Sequence, residues 1–507
     1  MTIIILWLYK RPSFCIASLN VYVSFSFNLS FFLSISSFST SSMMEVLEDE
    51  RLLRFGLAII LDCGRQRKMV KRKRVESFES LDTDEVSEGK MLSLFETREM
   101  MLRNEDRIRE ATTNEEGKGL HLIHLLLVSA TSLEEKKLDL TIKNLNELYK
   151  NVSLNGDSVQ RVAAYFADGL LARLLTRRSP FHEMIMKDPT PEEEFSAYME
   201  LYKVSPYYQF AHFTANQMIM ESFEMEEKEN NQSLHVVDLD VGYGFQWPSL
   251  MQSLSEKATT GNRVSLRITG FGKTLEELEE TKARLVGFAK SFRNLSFEFQ
   301  GMLKSNTNSG VKLIQKNKTE TLVINLAFYL HSLCSFSRIS DLLKSICSLN
   351  PSVVVLIEQE AGRRPRTFLS RFIEFLHYYA AMFDSLDDFL PLDSPKRLQI
   401  EKNHLGKEIK RLIDLDTNEL NSPKCETTET WTERMEPHGF EGMSLSSKSI
   451  IQAKLLLKIN SHYGPIPFDG ENGGFTVFER EEGNAISLAW QDKCLITASS
   501  WQCAGGR

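Results

Sequence analysis

A chain of 507 residues with 42% hydrophobic and 25% charged content can bury a large core beneath an ordinary soluble surface. Its formal net charge of −8 argues against a wholly basic nucleic-acid binder and leaves room for a local basic patch. The seven cysteines (Cys15, Cys63, Cys334, Cys347, Cys425, Cys494 and Cys503) have no paired short spacing. They form neither a zinc framework nor a disulfide scaffold, and a reducing compartment fits them best.

Residues 1–42 carry no acidic residue and only Lys10 and Arg11 as basic ones. The apolar run Ile3 to Leu8 precedes these charges, the wrong order for a secretory signal. Serines and Asn28 interrupt the stretch, whereas a membrane span needs about 20 predominantly apolar residues. An organellar transit peptide would carry recurring Arg. Because Met43-Met44 stands where an ordinary acidic chain begins, 1–42 reads as a misassigned upstream extension or a targeting leader. Residues 43–116 are charge-rich and poor in aromatics, the composition of a disordered region. Within them Arg65, Arg67, Lys68, Lys71, Arg72, Lys73 and Arg74 form a dense basic run of the nuclear-import type.

From Leu120 the apolar spacing is helical: Leu120, Ile123, His124 and Leu127, then Leu138, Ile142, Leu145 and Leu148. Asn155-Gly156-Asp157 stops and restarts the chain, and Asp157 or Ser158 caps a helix striped by Val159, Val162, Ala163, Phe166, Leu170 and Leu174. Two LxxLL strings occur here, Leu122 to Leu126 and Leu171 to Leu175. In the first, Leu122, Leu125 and Leu126 could engage a partner groove, but the core face of an amphipathic helix takes precedence. Prolines 180, 189 and 191 break the pattern before helices resume, so 117–225 reads as a mainly helical cap.

Residues 232–502 read as an α/β core. The nearly continuous apolar run Leu234, His235, Val236, Val237, Asp238, Leu239 is a strand buried on both faces. Gly242 and Gly244 then form a turn into a helix with Pro248 in its first turn. Further strands fall at Arg263 to Thr269, Leu295 to Phe299, Thr321 to Leu326 and Ser352 to Glu358. Helices are expected between them, then from Arg366 to Phe383 and over 396–414. Strands alternating with helices predict a mostly parallel sheet covered on both faces. The runs Phe475 to Phe478, Ala485 to Trp490 and Cys494 to Trp501 close it as antiparallel strands. This Rossmann-like layout resembles that of class I methyltransferases, by analogy of fold.

Several blocks, in order, resemble the plant GRAS family of transcriptional regulators, SCARECROW-like with the subgroup open. Leu234-His-Val-Val-Asp238 with Gln246-Trp-Pro248 is similar to the VHIID block. Gly156 to Phe166 and Ser205 to Asn216 resemble the first leucine-rich region. Arg267-Ile-Thr-Gly270 resembles the family's second strand. The PFYRE region is matched by Pro365 to Phe372, Tyr378-Tyr379 and Phe383 to Leu386, and Arg397 to Glu401 stands at the RVER block. Trp431, Ser487 to Trp490 and Ser500-Trp501 match the SAW region. The resemblance covers 117–502 and implies a helical cap on a methyltransferase-like sheet, nuclear location, and transcriptional regulation through protein–protein interaction. It also implies partners among other transcription factors and GRAS proteins, as homo- or heterodimers, with DNA reached directly or indirectly and no membrane.

The alternative is an S-adenosylmethionine-dependent methyltransferase. Asp240-Val-Gly242-Tyr-Gly244 nearly fits the acidic, glycine-rich loop of that cofactor site, but the third glycine is replaced by Gln246 before bulky Trp247. The second strand ends in Thr269-Gly270-Phe271-Gly272 without a ribose-binding acid. The reading is therefore no cofactor and no catalytic or metal residues. Glu358 and Glu360 read as strand-end solvation, and His235 and Asp238 as a buried, hydrogen-bonded pair. Arg363, Arg364, Arg366 and Arg371 are the candidates for phosphate contact with DNA. Neutralising Lys71 to Arg74 should shift the protein from nucleus to cytoplasm; unchanged nuclear fluorescence of a tagged variant would refute the import reading.

Overall fold

The computed structural model describes residues 88–103, 115–258, 263–314, 317, 319–333, 335–360, 367–415, 426–461 and 474–504. The basic run and Arg363, Arg364 and Arg366 lie outside them. Helices α1 (Glu88–Arg103), α2 (Glu115–Glu134), α3 (Leu138–Asn151), α4 (Ser158–Leu174), α5 (Pro180–Ile185), α6 (Pro191–Val204) and α7 (Pro206–Met225) form the cap. Local chemistry sets their starts. The Asp157 side chain accepts from Gln160 N at 2.8 Å to open α4, and Thr190 with Glu193 closes a capping box around Pro191 to open α6.

The core begins with β1 (Ser233–Asp238), α8 (Trp247–Lys257), β2 (Val264–Gly272), α9 (Leu275–Ala289), β3 (Leu295–Leu303), α10 (Thr307–Leu313) and β4 (Thr321–Ala327). It continues with α11 (Phe336–Ser348), β5 (Val353–Gln359), α12 (Phe368–Asp387), α13 (Pro395–Ile400) and α14 (Gly406–Asp414). The chain ends in α15 (Thr428–Met435), β6 (Phe440–Met443), α16 (Ser447–Ser461), β7 (Phe475–Arg480), β8 (Ala485–Trp490) and β9 (Lys493–Cys503).

The strands lie in the order β3-β2-β1-β4-β5-β9-β8-β7, with β6 alongside β9. From β3 to β5 the sheet is parallel; from β9 onward it is antiparallel. Every residue of β4 and β5 is buried, as a parallel sheet clothed on both faces requires. One face, with Val237, Leu322 and Ile324, packs on Leu342 and Ile346 of α11 and on Trp431. The chain reverses from β1 to β4 past β2, so a switch point opens at the carboxyl end of β1, the position where such sheets hold ligands.

One expectation needs correction, one gains a refinement, and one element is new. Part of 43–116, expected to be disordered, is helix α1, whose Leu94, Phe95, Arg98 and Met101 are buried. Composition hid it because a narrow docking face lies among exposed charges. Arg98 grips Asp168 of α4 with two bonds of 2.7 Å, and Tyr149 donates to the same carboxylate at 2.8 Å. The helix expected over 396–414 is present as one continuous run, widened by a π-turn at Glu401–Leu405. Beyond it, a Cβ at Gly406 would collide with the Tyr165 ring, so the chain can approach α4 this closely only as glycine. Finally, β6 was not foreseen; four residues are too short a run to show a period.

Burial pulls the Asp168 carboxyl up, but Arg98 with its two hydrogen bonds outweighs it and holds the group below the usual carboxylate range. Arg98→Ala leaves that charge buried without its cation and should cost about 3–5 kcal/mol in urea unfolding. A loss under about 1 kcal/mol would show that α1 is dispensable to the cap.

Candidate functional site

The site to examine is the carboxyl end of β1, where the glycine turn meets the cap. Strand alternation sends His235 and Val237 to one face of the sheet and Val236 and Asp238 to the other. His235 and Asp238 are both buried and hydrogen-bonded, but to other partners on opposite faces of the sheet, which corrects their reading as a pair. His235 Nδ1 faces Arg267 Nη2 at 3.2 Å, and a guanidinium can only donate, so Nδ1 accepts. Nε2 then carries the proton and donates to Thr269 Oγ1 at 2.9 Å. Burial and Arg267 push the imidazole pKa down to about 4, which agrees with a neutral ring. Glu320 completes the cluster by accepting from Arg267 at 2.8 Å.

Asp238 heads a buried polar chain. Its carboxylate accepts from Trp247 Nε1 at 3.1 Å, Asn325 Nδ2 at 3.1 Å and the Asp240 amide at 3.2 Å. The Asn325 amide also donates to Gln246 Oε1 at 3.1 Å, and Gln246 Nε2 donates to Asn216 Oδ1 at 3.2 Å. Asn216, on cap helix α7, donates back to the Gln246 carbonyl and to Ser249 Oγ, each at 2.8 Å. Strand, glycine turn, α8 and cap are thus joined by one network. Sequence reasoning missed Asn216 and Asn325, although a lone asparagine in the apolar run Thr321–Ala327 was a legible signal of a buried partner.

Over this network lies a layer of rings. Phe195 of α6 packs on Tyr243 of the turn at 4.9 Å, Tyr202 on Phe245 at 5.1 Å, and Tyr198 on Tyr208 at 4.6 Å. Phe328, just past β4, enters the layer against Tyr208 at 5.3 Å from a left-handed backbone of φ 55°. Tyr208 hydroxyl meets His404 Nε2 of the π-turn at 2.9 Å.

A methyltransferase-like sheet would hold S-adenosylmethionine here. The residues present do not fit it. Gln246 and Trp247 are buried where bare backbone would be needed, and Asp240 is paired with Lys304. At the end of β2, a Cβ on Gly270 would already lie 3.0 Å from Phe299 and Val241. Gly242 and Gly244 keep the positive φ values of 47° and 77° that the turn needs, and a Cβ at Gly244 would press on Thr281 and Leu285 of α9.

The other candidates fall elsewhere. Leu122, Leu125 and Leu126 are buried in the cap. Arg371 is also buried, which corrects its reading as a phosphate contact; burial and neighbouring Arg173 push its pKa down to about 10. Glu358 and Glu360, expected to be solvated, are buried as well. Glu358 accepts from the Leu330 amide and His331 Nδ1, each at 2.6 Å, while Glu360 accepts from Thr497 and pairs with Arg480 at 3.3 Å. The turn after β4 does for Glu358, and strands β9 and β7 do for Glu360, what water would do at a free strand end.

A model of the GRAS domain family matches residues 122–502, spanning the cap from α2 and the whole sheet. The chain belongs to the GRAS domain family. It is 34% identical to "Protein SCARECROW 1" of Oryza sativa subsp. indica over 396 residues, 76% of this chain and 56% of that protein. Similarity to "Protein SCARECROW" of Arabidopsis thaliana is 34% over 417 residues, 80% of this chain and 59% of that protein. The chain therefore spans little more than half the length of these curated relatives. Among solved structures, SCL7 of Oryza sativa aligns with a TM-score of 0.59 at 27% identity, covering 75% of this chain and 99% of that one. In GRAS terms, the VHIID-like block of this chain is the root of the network that fastens the cap.

Burial and Asp240 push the Asp238 pKa from 3.8 up to about 7, against the pull of its three donors. A carboxyl raised in the folded state stabilises fully below its unfolded value, and that stabilisation is lost as pH rises through the folded value. The stability of the native chain relative to Asp238→Asn should therefore fall between about pH 4 and about pH 7 and then level off. Urea unfolding across that range is the check; parallel pH profiles would refute a neutral Asp238.

Proposed function

We propose that this GRAS protein is a plant transcriptional regulator that works in the nucleus by binding other proteins and catalyses no reaction. The reading is carried by one observation: Gln246 and Trp247 stand buried where a cofactor loop of this fold would leave bare backbone, and cap rings pack on Tyr243 and Phe245 of the same turn. What the chain offers instead is surface. Its partners are other transcription factors and GRAS proteins, in homo- or heterodimers, with DNA reached through them or directly. Similarity to SCARECROW proteins along most of the chain supports this reading, as does the basic run Arg65 to Arg74 for nuclear entry. Among the described residues no helix is long and apolar enough to cross a membrane.

The test pairs two measurements. Calorimetry of the purified chain with S-adenosylmethionine should give no binding heat, and affinity capture from plant nuclei should return DNA-binding transcription factors or GRAS proteins. Saturable cofactor binding with methyl transfer to any captured protein would replace the regulator by the enzyme.

A further inference from the structure

Five hydroxyl side chains stand directly before a proline: Ser179, Thr190, Ser205, Ser394 and Ser422. The last lies outside the described residues. Three of the other four are already engaged. Ser179 accepts from His182 N at 3.1 Å, Thr190 from Glu193 N at 3.2 Å, and Ser205, itself buried, from Tyr207 N at 3.3 Å. Ser394 differs: its hydroxyl makes no bond to the helix that follows and, among the described residues, none elsewhere. The turn that carries it closes with Ser394 N on the Pro391 carbonyl at 3.0 Å. Pro391, Leu392, Asp393, Pro395 and Lys396 are all exposed there. Pro395 bars the helical conformation from Ser394 and holds it at φ −70°, ψ 119°, an extended backbone of the kind a protein kinase takes into its groove.

Of the four, Ser394 alone has lysine and arginine next after its proline, Lys396 and Arg397. Lys396 pairs across to Glu200 of cap helix α6 at 2.9 Å while staying exposed. Arg397 is buried. Its guanidinium donates to Glu401 at 3.2 Å and to the Leu392 carbonyl of the same turn, and its buried Nε has no acceptor among the described residues. One cation therefore meets the turn from the solvent side, and a second, with a donor to spare, lies against it from within.

We propose that Ser394 is a phosphorylation site for a proline-directed protein kinase and that Lys396 and Arg397 receive the phosphate. Ser394 Oγ attacks the γ-phosphorus of ATP; the new O–P bond forms as the bond to the ADP oxygen breaks, and the hydroxyl proton passes to the carboxylate base of the kinase. The product carries a charge of about −1.5 to −2 and three strong acceptor oxygens. Phosphate accepts more strongly than a peptide carbonyl, so Arg397 exchanges the Leu392 carbonyl for it. The exposed Lys396–Glu200 pair is weak and yields Lys396 as well. Glu200 keeps Lys203 at 3.0 Å, so the exchange leaves no buried carboxylate alone. Phosphorylation thus undoes an ion pair that ties α13 to α6 of the cap.

The folded full chain, incubated with ATP and a kinase of the cyclin-dependent class, should take up phosphate at Ser394, located by fragmentation mass spectrometry. Ser394→Ala should abolish that uptake, and Pro395→Ala should slow it about tenfold or more while Ser394 remains. Uptake at Ser422 alone, or at Ser394 only after unfolding in urea, would overturn the site. Phosphorus NMR of the modified chain then tests the receptors. Against the pull of Asp393, the two cations should hold the second phosphate ionisation below about pH 6, and Lys396→Gln should raise it. A value that stays at about 6 and ignores Lys396→Gln would remove Lys396 and Arg397 from the proposal.

Discussion

The hydrogen-bonded chain from Asp238 through Asn325 and Gln246 to Asn216 is the constraint on which the arrangement of cap and sheet depends. A buried polar group without a partner costs about 1–3 kcal/mol, so each member holds its neighbour to one geometry. Greasy packing alone would let α7 slide over the sheet; a chain of amides with fixed donors and acceptors does not. The tyrosine and phenylalanine layer can then settle over the glycine turn, because the helices that carry it are already placed. A site suited to a small molecule has in this way become a joint between two layers of protein.

The family blocks, scattered in sequence, converge in space for a similar reason. Arg161, from the leucine-rich block, bonds Glu401 at 2.9 Å and Asp387 at 2.5 Å, and Arg397 reaches the same Glu401 at 3.2 Å. Glu401 opens the π-turn, so the widened coil delivers a carboxylate between two guanidiniums that a regular helix would carry past them. Trp490 of the last block donates to Asp384 at 2.8 Å, on the helix of the PFYRE-like region. Removing one member of such a buried set costs about 3–5 kcal/mol, comparable to the stability of a marginal domain. Lost function on mutating these blocks would therefore report on folding before it reports on any partner.

How much of this was legible follows from the range of the interactions involved. The strands at Leu234, Thr321 and Ser352 could be read because burial on both faces leaves a local, unbroken apolar run. The obstruction at Gln246 and Trp247 could be read because glycine's absence is a local fact. Asn216 and Asn325 could not be paired, since their link runs through Gln246 across 30 and 79 residues. Helix α1 was lost in charged composition, and Glu358, Glu360 and Arg371 looked solvated because their partners and neighbours lie on other elements. Sequence shows what each residue wants; only topology shows who supplies it.

One feature of the sheet bears on how the protein is made. Among the described residues strand β9 is the last element in sequence, yet it lies inside the sheet, between β5 on one side and β8 with β6 on the other. Until it leaves the ribosome, β5 has an uncovered flank, and the parallel half must wait with its apolar backbone ladder exposed. The sheet therefore closes only after every other described strand has been made, and chaperones can hold the open parallel half until then. A stop codon at Lys493 would remove a central plank of the sheet, not a tail.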